Sequence, residues 1–248
     1  MCIRDRTYSA FNLNSNPDIH DLDFDFDHLG NLTAREDFVQ NIDEVFTYDD
    51  LNRLRFSHLN MGNNATNIIE TRYNAIGNIT FKTGVGTYAY TESCAGGFAG
   101  PHAVTSISSP KNTNYCYDAN GNMTHGAGRT VNYSAFDKPT HISKGSSHSS
   151  TIYYDANRDR YKRVDNSNGN QTTFHYVGGL YERAVLPSKT EERHFLGGFA
   201  VLTITNRTTS SNGNTAIKYL HQDHIGSLTV ITDAIGAIKE EFSFDAWG

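Results

Sequence analysis

Tyr117-Asp118-Ala119-Asn120-Gly121-Asn122-Met123-Thr124 carries more structural information than any other stretch of this 248-residue chain. Tyr115 and Tyr117 are two residues apart and so share one face of a strand. Asp118 follows with a side chain that accepts from backbone N–H groups and opens a turn. Gly121 supplies the positive φ demanded by a type I turn followed by a bulge. Met123 then starts a return strand, and the segment reads as an antiparallel hairpin.

The same unit returns along the chain. It stands at Phe26-Asp27-His28-Leu29-Gly30-Asn31-Leu32-Thr33 and at Tyr73-Asn74-Ala75-Ile76-Gly77-Asn78-Ile79-Thr80, with looser copies opening at Tyr48-Asp49 and Tyr154-Asp155-Ala156-Asn157. Phe26, Tyr48 and Tyr73 lie 22 and 25 residues apart, and Tyr73 and Tyr117 lie 44 apart. A period near 22 marks a stacked or coiled array, not a compact enzyme fold. Asn74 replaces the aspartate of its copy and keeps the turn-capping oxygen, while Asn52 and Asn157 stand where glycine is expected. Asparagine tolerates the left-handed region better than most residues. A catalytic carboxylate would not exchange so freely for an amide, so these residues read as corners of the backbone.

One hairpin alone is marginal in water. A strip of them joined edge to edge leaves free edges only at its ends, and native strand twist makes a long strip coil. The expectation is an all-β array of antiparallel hairpins forming a curling sheet. One face is packed by Tyr, Phe and Leu, the other is polar, and helix is scarce.

Composition agrees. The chain has 14 tyrosines, 14 phenylalanines, 21 glycines and only 19% charged residues. A net charge of -6 and a pI near 6.0 exclude a general affinity for nucleic acid. No run approaches the roughly 20 apolar residues needed to span a bilayer, and residues 1–6 have no apolar stretch behind their charges, so they are not a secretory signal. Repeat arrays require polar caps; the chain is therefore expected to be an internal piece of a longer protein, which leaves open whether residues 1–6 are native. The organisation reads as an N-terminal segment over 1–20, the array over 21–215 and a distinct terminal block over 216–248. Cys2, Cys94 and Cys116 show neither a disulfide framework nor metal-ligand spacing. Free buried thiols are expected, with a Cys94–Cys116 bridge as the alternative in an oxidising compartment.

Several clusters suggest chemistry and are better explained structurally. In a strand, His221 and Asp223 share a face while His224 points away, so the three do not close on one metal without a bend; a hydrogen-bonded His–Asp pair is expected. Asp118 to Asn122 resembles half a calcium loop, but Gly121 is fourth rather than sixth, and the twelfth residue is Arg129. Ser227 lacks a nucleophile elbow. Gly84-Val85-Gly86 and Gly96-Gly97 lack the Lys-Ser/Thr of a phosphate loop. Arg158-Asp159-Arg160-Tyr161-Lys162-Arg163 is interrupted by acid and aromatic and reads as a solvated strand face. The recurring aromatics read as sheet packing in preference to sugar stacking. No enzyme, cofactor or metal is expected.

The Tyr-Asp-x-x-Gly-Asn run resembles the YD repeats of RHS-repeat proteins, teneurins and the cocoon-forming C components of insecticidal Tc toxins. The terminal block strengthens the resemblance. Tyr219-Leu220-His221-Gln222-Asp223-His224-Ile225-Gly226-Ser227-Leu228 is similar to the His-x-Asp-His-x-Gly-Ser opening of the RHS core. Thr232-Asp233-Ala234-Ile235-Gly236 and Phe244-Asp245-Ala246-Trp247-Gly248 are similar to its two following turns, and Pro101-His102-Ala103-Val104-Thr105 to a segment common in these arrays. The resemblance spans residues 24–248. It implies a wall segment of a hollow β-shell that encloses a C-terminal toxin domain, with the alternative of an extracellular module binding carbohydrate or protein. It implies as partners the rest of the same polypeptide, an immunity protein or a delivery component, and a secreted or surface-borne parent. The family's aspartyl self-cleavage centre lies downstream of this block, so no catalytic residue is carried over. The chain departs from the pattern at residues 88–100, which interrupt the array. It departs again at Tyr133-Ser134-Ala135-Phe136-Asp137-Lys138-Pro139, where Lys-Pro in place of Gly-Asn is expected to stiffen the turn. Residues 143–150 and 208–214 are expected as polar loop tips.

Overall fold

The structure, a computed structural model, describes residues 3–4, 8–10, 19–61, 67–90, 94, 100–206 and 211–247. Most of the segment over 1–20, much of 88–100, part of 208–214, Gly96-Gly97 and Gly248 lie outside the described residues. Among the described residues there is no helix, and 23 strands are formed. The contacts divide the chain into two units, residues 1–84 with 218–248, and residues 85–217. The terminal block thus belongs with the first hairpins, from which it is more than 130 residues distant in sequence.

The first unit holds β1 (Ile3–Arg4), β2 (Tyr8–Ala10), β3 (His20–Phe26), β4 (Leu32–Asp37), β5 (Ile42–Tyr48), β6 (Leu54–Met61), β7 (Asn67–Tyr73) and β8 (Ile79–Lys82). Strands β3 to β8 pair antiparallel, each with the next, and β1 and β2 both pair with β3. The second unit runs through β9 (Gly86–Ala89), β10 (Ser106–Ser108), β11 (Thr113–Tyr117), β12 (Met123–Gly126), β13 (Arg129–Tyr133) and β14 (Pro139–Lys144). It continues through β15 (His148–Tyr154), β16 (Arg160–Ser167), β17 (Asn170–Val177), β18 (Tyr181–Val185), β19 (Thr190–Leu196) and β20 (Ala200–Thr205) in the same antiparallel meander. The chain returns to the first unit within β21 (Asn214–Gln222), which pairs with β22 (Leu228–Asp233), and β22 with β23 (Ile238–Glu241). Residues 143–150 are mostly strand, since β14 runs to Lys144 and β15 resumes at His148. The loop expected there contracts to a three-residue turn.

The first unit has one dry face. The register sets Phe24 beside Arg35, Arg35 beside Glu44 and Glu44 beside Leu59, with Leu22 and Phe46 on the same side. Phe24 is 1% exposed, Leu22 4% and Phe46 5%. Val230 and Thr232 of β22 are equally buried. On the opposite side, Val45 and Ile68 are exposed among Asp25, Glu36 and Asp43. The apolar-in, polar-out sheet expected from the sequence is found here.

The second unit differs. Its described hydrophobic core is short: Ile107, Val131, Ile152, Ala184 and Ala200 are buried, and most of its aromatics stay half exposed. Cross-strand pairs supply what a dry face would. The guanidinium carbon of Arg163 lies 4.3 Å from the ring centroid of Phe174, that of Arg160 4.2 Å from Tyr176, and Lys162 Nζ 4.9 Å from Tyr153. The basic cluster over 158–163 is therefore laid against aromatic rings, each contact adding about 0.5–1 kcal/mol at an exposed site. Arg193 pairs with Glu182 at 2.5 Å and with Glu191 at 2.6 Å, and Asp165 takes Ser150 Oγ at 2.6 Å and Arg163 at 3.0 Å. The thiols expected to be free are joined: Cys94 and Cys116 form a disulfide with Cα atoms 5.2 Å apart. Residues 22 apart in sequence are brought within bridging distance because Cys94 lies beside Cys116 of β11, a long-range contact that spacing alone does not reveal.

Candidate functional site

Eight turns among the described residues share one backbone design. The residue at the fifth position of each unit has positive φ: Gly30 85°, Asn52 58°, Gly77 88°, Gly121 86°, Asp137 59°, Arg158 65°, Gly226 91° and Gly236 82°. In all eight, the ladder slips by one residue before the first position, the bulge anticipated from Gly121. Two readings of the sequence are corrected by this register. Arg158, not Asn157, occupies the glycine position of its copy. At 133–139 it is Asp137-Lys138 that fills the Gly-Asn positions, while Pro139 pairs with Tyr133 at the start of the return strand. That turn keeps the shared form: Ser134 N donates to Lys138 O at 2.9 Å, and Asp137 N to Ser134 O at 3.1 Å.

The second residue clamps the loop. Asp118 Oδ1 accepts from Asn120 N and Asn122 N, both at 2.9 Å, and Oδ2 accepts from Asn122 Nδ2 at 3.1 Å. The carboxylate that suggested half a calcium loop is spent on the turn itself. Asp27 and Asp49 repeat the arrangement, with Arg53 supplying the donor to Asp49, and Asn74 Oδ1 does so as an amide, accepting from Ile76 N and Asn78 N. Asp155 takes Asn157 N and Asp159 N at 2.9 Å each. Backbone donation from Asn122, followed by its side chain, holds the Asp118 carboxyl below its ordinary pKa, and the Asn31 side chain does the same first for Asp27.

In three turns the sixth residue ties the turn to the next. Asn31 Nδ2 reaches Asn52 Oδ1 at 3.1 Å, Arg53 Nη1 reaches Asn74 O at 3.1 Å, and Asn122 Nδ2 reaches Asp137 Oδ1 at 2.7 Å. The tyrosines reach the other way. Tyr48 Oη donates to Leu32 O at 2.7 Å, Tyr73 to Leu54 O at 2.8 Å, Tyr133 to Met123 O at 3.0 Å and Tyr154 to Pro139 O at 2.9 Å. Each acceptor is the seventh residue of the preceding turn. Tyr117, first after the interruption, donates to Val104 O at 2.8 Å instead. Reading the aromatics as packing missed this bond. The available signal was that the five array copies that follow Phe26, at 48, 73, 117, 133 and 154, all open with Tyr, never Phe. Burial of these hydroxyls pushes the phenol pKa values up.

The terminal block obeys the same rules. Asp223 Oδ1 accepts from Ile225 N at 3.0 Å and Ser227 N at 2.8 Å, and Asp233 Oδ1 from Ile235 N at 3.1 Å and Ala237 N at 2.9 Å. No bond joins His221 to Asp223. His221 Nε2 meets Thr232 Oγ1 at 3.0 Å on the neighbouring strand, because the bulge after His221 turns Asp223 into the loop. Burial lowers the His221 pKa. The His224 ring leaves the pair altogether and lies 4.0 Å from Phe24, centroid to centroid. Asp245 Oδ1 accepts from Trp247 N at 2.8 Å, opening one more turn.

This block seals the dry face of the first unit. Arg35 forms an ion pair with Glu44 and donates from Nη2 to Phe244 O at 2.8 Å. Lys82 Nζ pairs with Asp245 Oδ2 at 3.2 Å and lies 5.4 Å from the Trp247 ring centroid. Burial raises the Glu44 pKa against the opposing pull of Arg35. Beneath the strap of residues 242–245 is a cavity of about 160 Å³. Among the described residues no three His, Cys, Asp or Glu side chains gather as metal ligands.

No protein-family model matches the chain, and no curated protein sequence matches it. Among solved structures it is similar to the crystal structure of TcdB2-TccC3-Cdc42, with 12% identity and a TM-score of 0.44 over 95% of this chain. The match covers 16% of that chain, so the present sequence spans about a sixth of its length. The fold described above stands on the strand pairing alone.

Proposed function

We propose that this chain is a wall segment of an RHS-type shell, a structural element that encloses a C-terminal toxin domain of its own polypeptide. The observation that carries the reading is the single design shared by eight turns, four neighbouring pairs of which are bonded through the sixth residue of the first turn or the tyrosine of the second. Such coupling suits a sheet that must extend without limit and stay closed to water, because each added hairpin buries the edge of the last. The carboxylates at the turns are engaged by backbone N–H groups and so are poor candidates for acid–base work. The partners on this reading are the further repeats and the enclosed domain, with an immunity protein or a delivery component acting on the parent, which is secreted or surface-borne.

A second reading, an extracellular module that binds protein or carbohydrate, is favoured by the exposed aliphatics at the fourth position of five turns: Leu29, Leu51, Ile76, Ile225 and Ile235 are 58–76% exposed. Gel analysis of the full-length parent separates the two. The shell reading expects a self-cleaved C-terminal fragment that remains associated under native conditions. A parent that stays one polypeptide and binds a cell-surface glycan or protein through these turns overturns it.

A further inference from the structure

We infer that the cavity beneath the 242–245 strap is a binding site for a single-ring aromatic compound bearing one hydrogen-bond donor, of which phenol is the simplest. The inference stands apart from the shell reading and survives its failure. The cavity, of about 160 Å³, lies wholly within the first unit. Leu22, Phe24, Leu59, Ile69 and Phe244 form its apolar wall. An engineered cavity of about 150 Å³ with similar Leu, Ile and Phe lining stays dry and takes up benzene. Most of the rest of the lining is polar, with Asp37, Asp223, Thr229, Ser243 and Asp245 beside the apolar wall, so a guest that carries a polar group on its ring suits the cavity better than a bare hydrocarbon. The Phe24 and Phe244 rings favour an aromatic guest through edge and offset contacts.

One wall is different. Glu44 is 3% exposed, yet it keeps a carboxylate partnered by Arg35, and both residues line the cavity. A buried ion pair of this kind rarely adds to stability over a well-packed apolar pair. A carboxylate offers about four acceptor positions, and the Arg35 contact engages Oε2. The pair therefore holds a charged acceptor fixed at the edge of an apolar chamber, the arrangement that orients a phenol O–H. Arg35 also donates to Phe244 O, and Lys82 holds Asp245 and Trp247. The strap is thus fastened by two cations, and its release gives the guest a route in without disturbing the strand ladder.

The test uses the whole chain with ¹³C-labelled Leu and Ile methyl groups, titrated with phenol and separately with benzene. Saturable shifts confined to the methyls of Leu22, Leu59, Ile42 and Ile69 are expected, together with a rise in melting temperature, and phenol should bind several-fold more tightly than benzene. Ile69→Phe fills the chamber and should abolish the shifts. Glu44→Gln replaces a charge-assisted acceptor by a neutral one and should weaken phenol about fivefold. Absence of saturable methyl shifts in the unaltered chain overturns the inference, whatever the variants do. Equal affinity for phenol and benzene removes the role of Glu44 and overturns it as stated. Undiminished phenol binding by a folded Ile69→Phe chain overturns it too.

Discussion

Arg158 sits at φ 65° in the position that five other turns fill with glycine at 82–91°. A side chain in this left-handed region costs about 1–2 kcal/mol, partly offset here by the guanidinium 5.4 Å from the Phe136 ring. Arg158→Gly is expected to raise stability by up to ~1 kcal/mol. Gly121→Ala is expected to lower it by ~1–2 kcal/mol through the backbone alone, because a Cβ there meets nothing within 4 Å. Urea midpoints of the two variants check both signs. The carboxylates of the same turns set an acid limit. Asp27, Asp49, Asp118 and Asp233 all have pKa values below the ordinary 3.8. The unfolded chain then binds protons that the fold refuses, so their contribution is complete above about pH 4 and fades as pH falls through the lowered values. His221, lowered by burial, acts in the same direction but earlier, as pH drops below its ordinary 6.5. Melting temperature should therefore decline in two stages between pH 7 and 3. His221→Gln should flatten the first stage and Asp118→Asn the second.

Between elements, the decisive bonds were invisible as pairs in the sequence. Each tyrosine hydroxyl crosses from one hairpin to a carbonyl of the hairpin before it, at 2.7–3.0 Å. Tyr73→Phe removes the bond to Leu54 O and leaves the ring, so a loss of ~1 kcal/mol is expected. A double-mutant cycle with a change confined to the Tyr48 turn should show coupling, since the bond joins the two turns; strict additivity would count against it. The hairpins themselves were legible from Asp27, Gly77 or Gly121 because a turn is local: side-chain cap, positive φ and bulge fall within eight residues. The register of the irregular copies was not legible. At 133–139 and 154–159 neither glycine nor asparagine marks the fifth position, and only the ladder shows that Asp137 and Arg158 occupy it.

At the level of the whole chain, two units solve the burial problem differently. The first packs Leu22, Phe24 and Phe46 under a block that arrives about 200 residues later, while the second relies on cross-strand ion pairs, arginine–aromatic contacts and the Cys94–Cys116 bridge. Removing residues 218–248 should expose the Phe24 face and strip hydrogen-exchange protection from β3 to β7. Residues 106–206 should keep theirs. Equal loss in both units would show that they do not fold as separate bodies.

The sequence by itself determined the hairpin, its turn chemistry and the all-β class, since these depend on side chains within reach of their own backbone. Only the tertiary structure decided that His221 bonds Thr232 and not Asp223, that Cys94 meets Cys116, and that Phe244 and Asp245 close over Arg35 and Lys82. Those contacts join residues separated by 11 to 209 positions. They follow from how a bulge rotates a strand and where the chain returns, and neither quantity is written in local spacing.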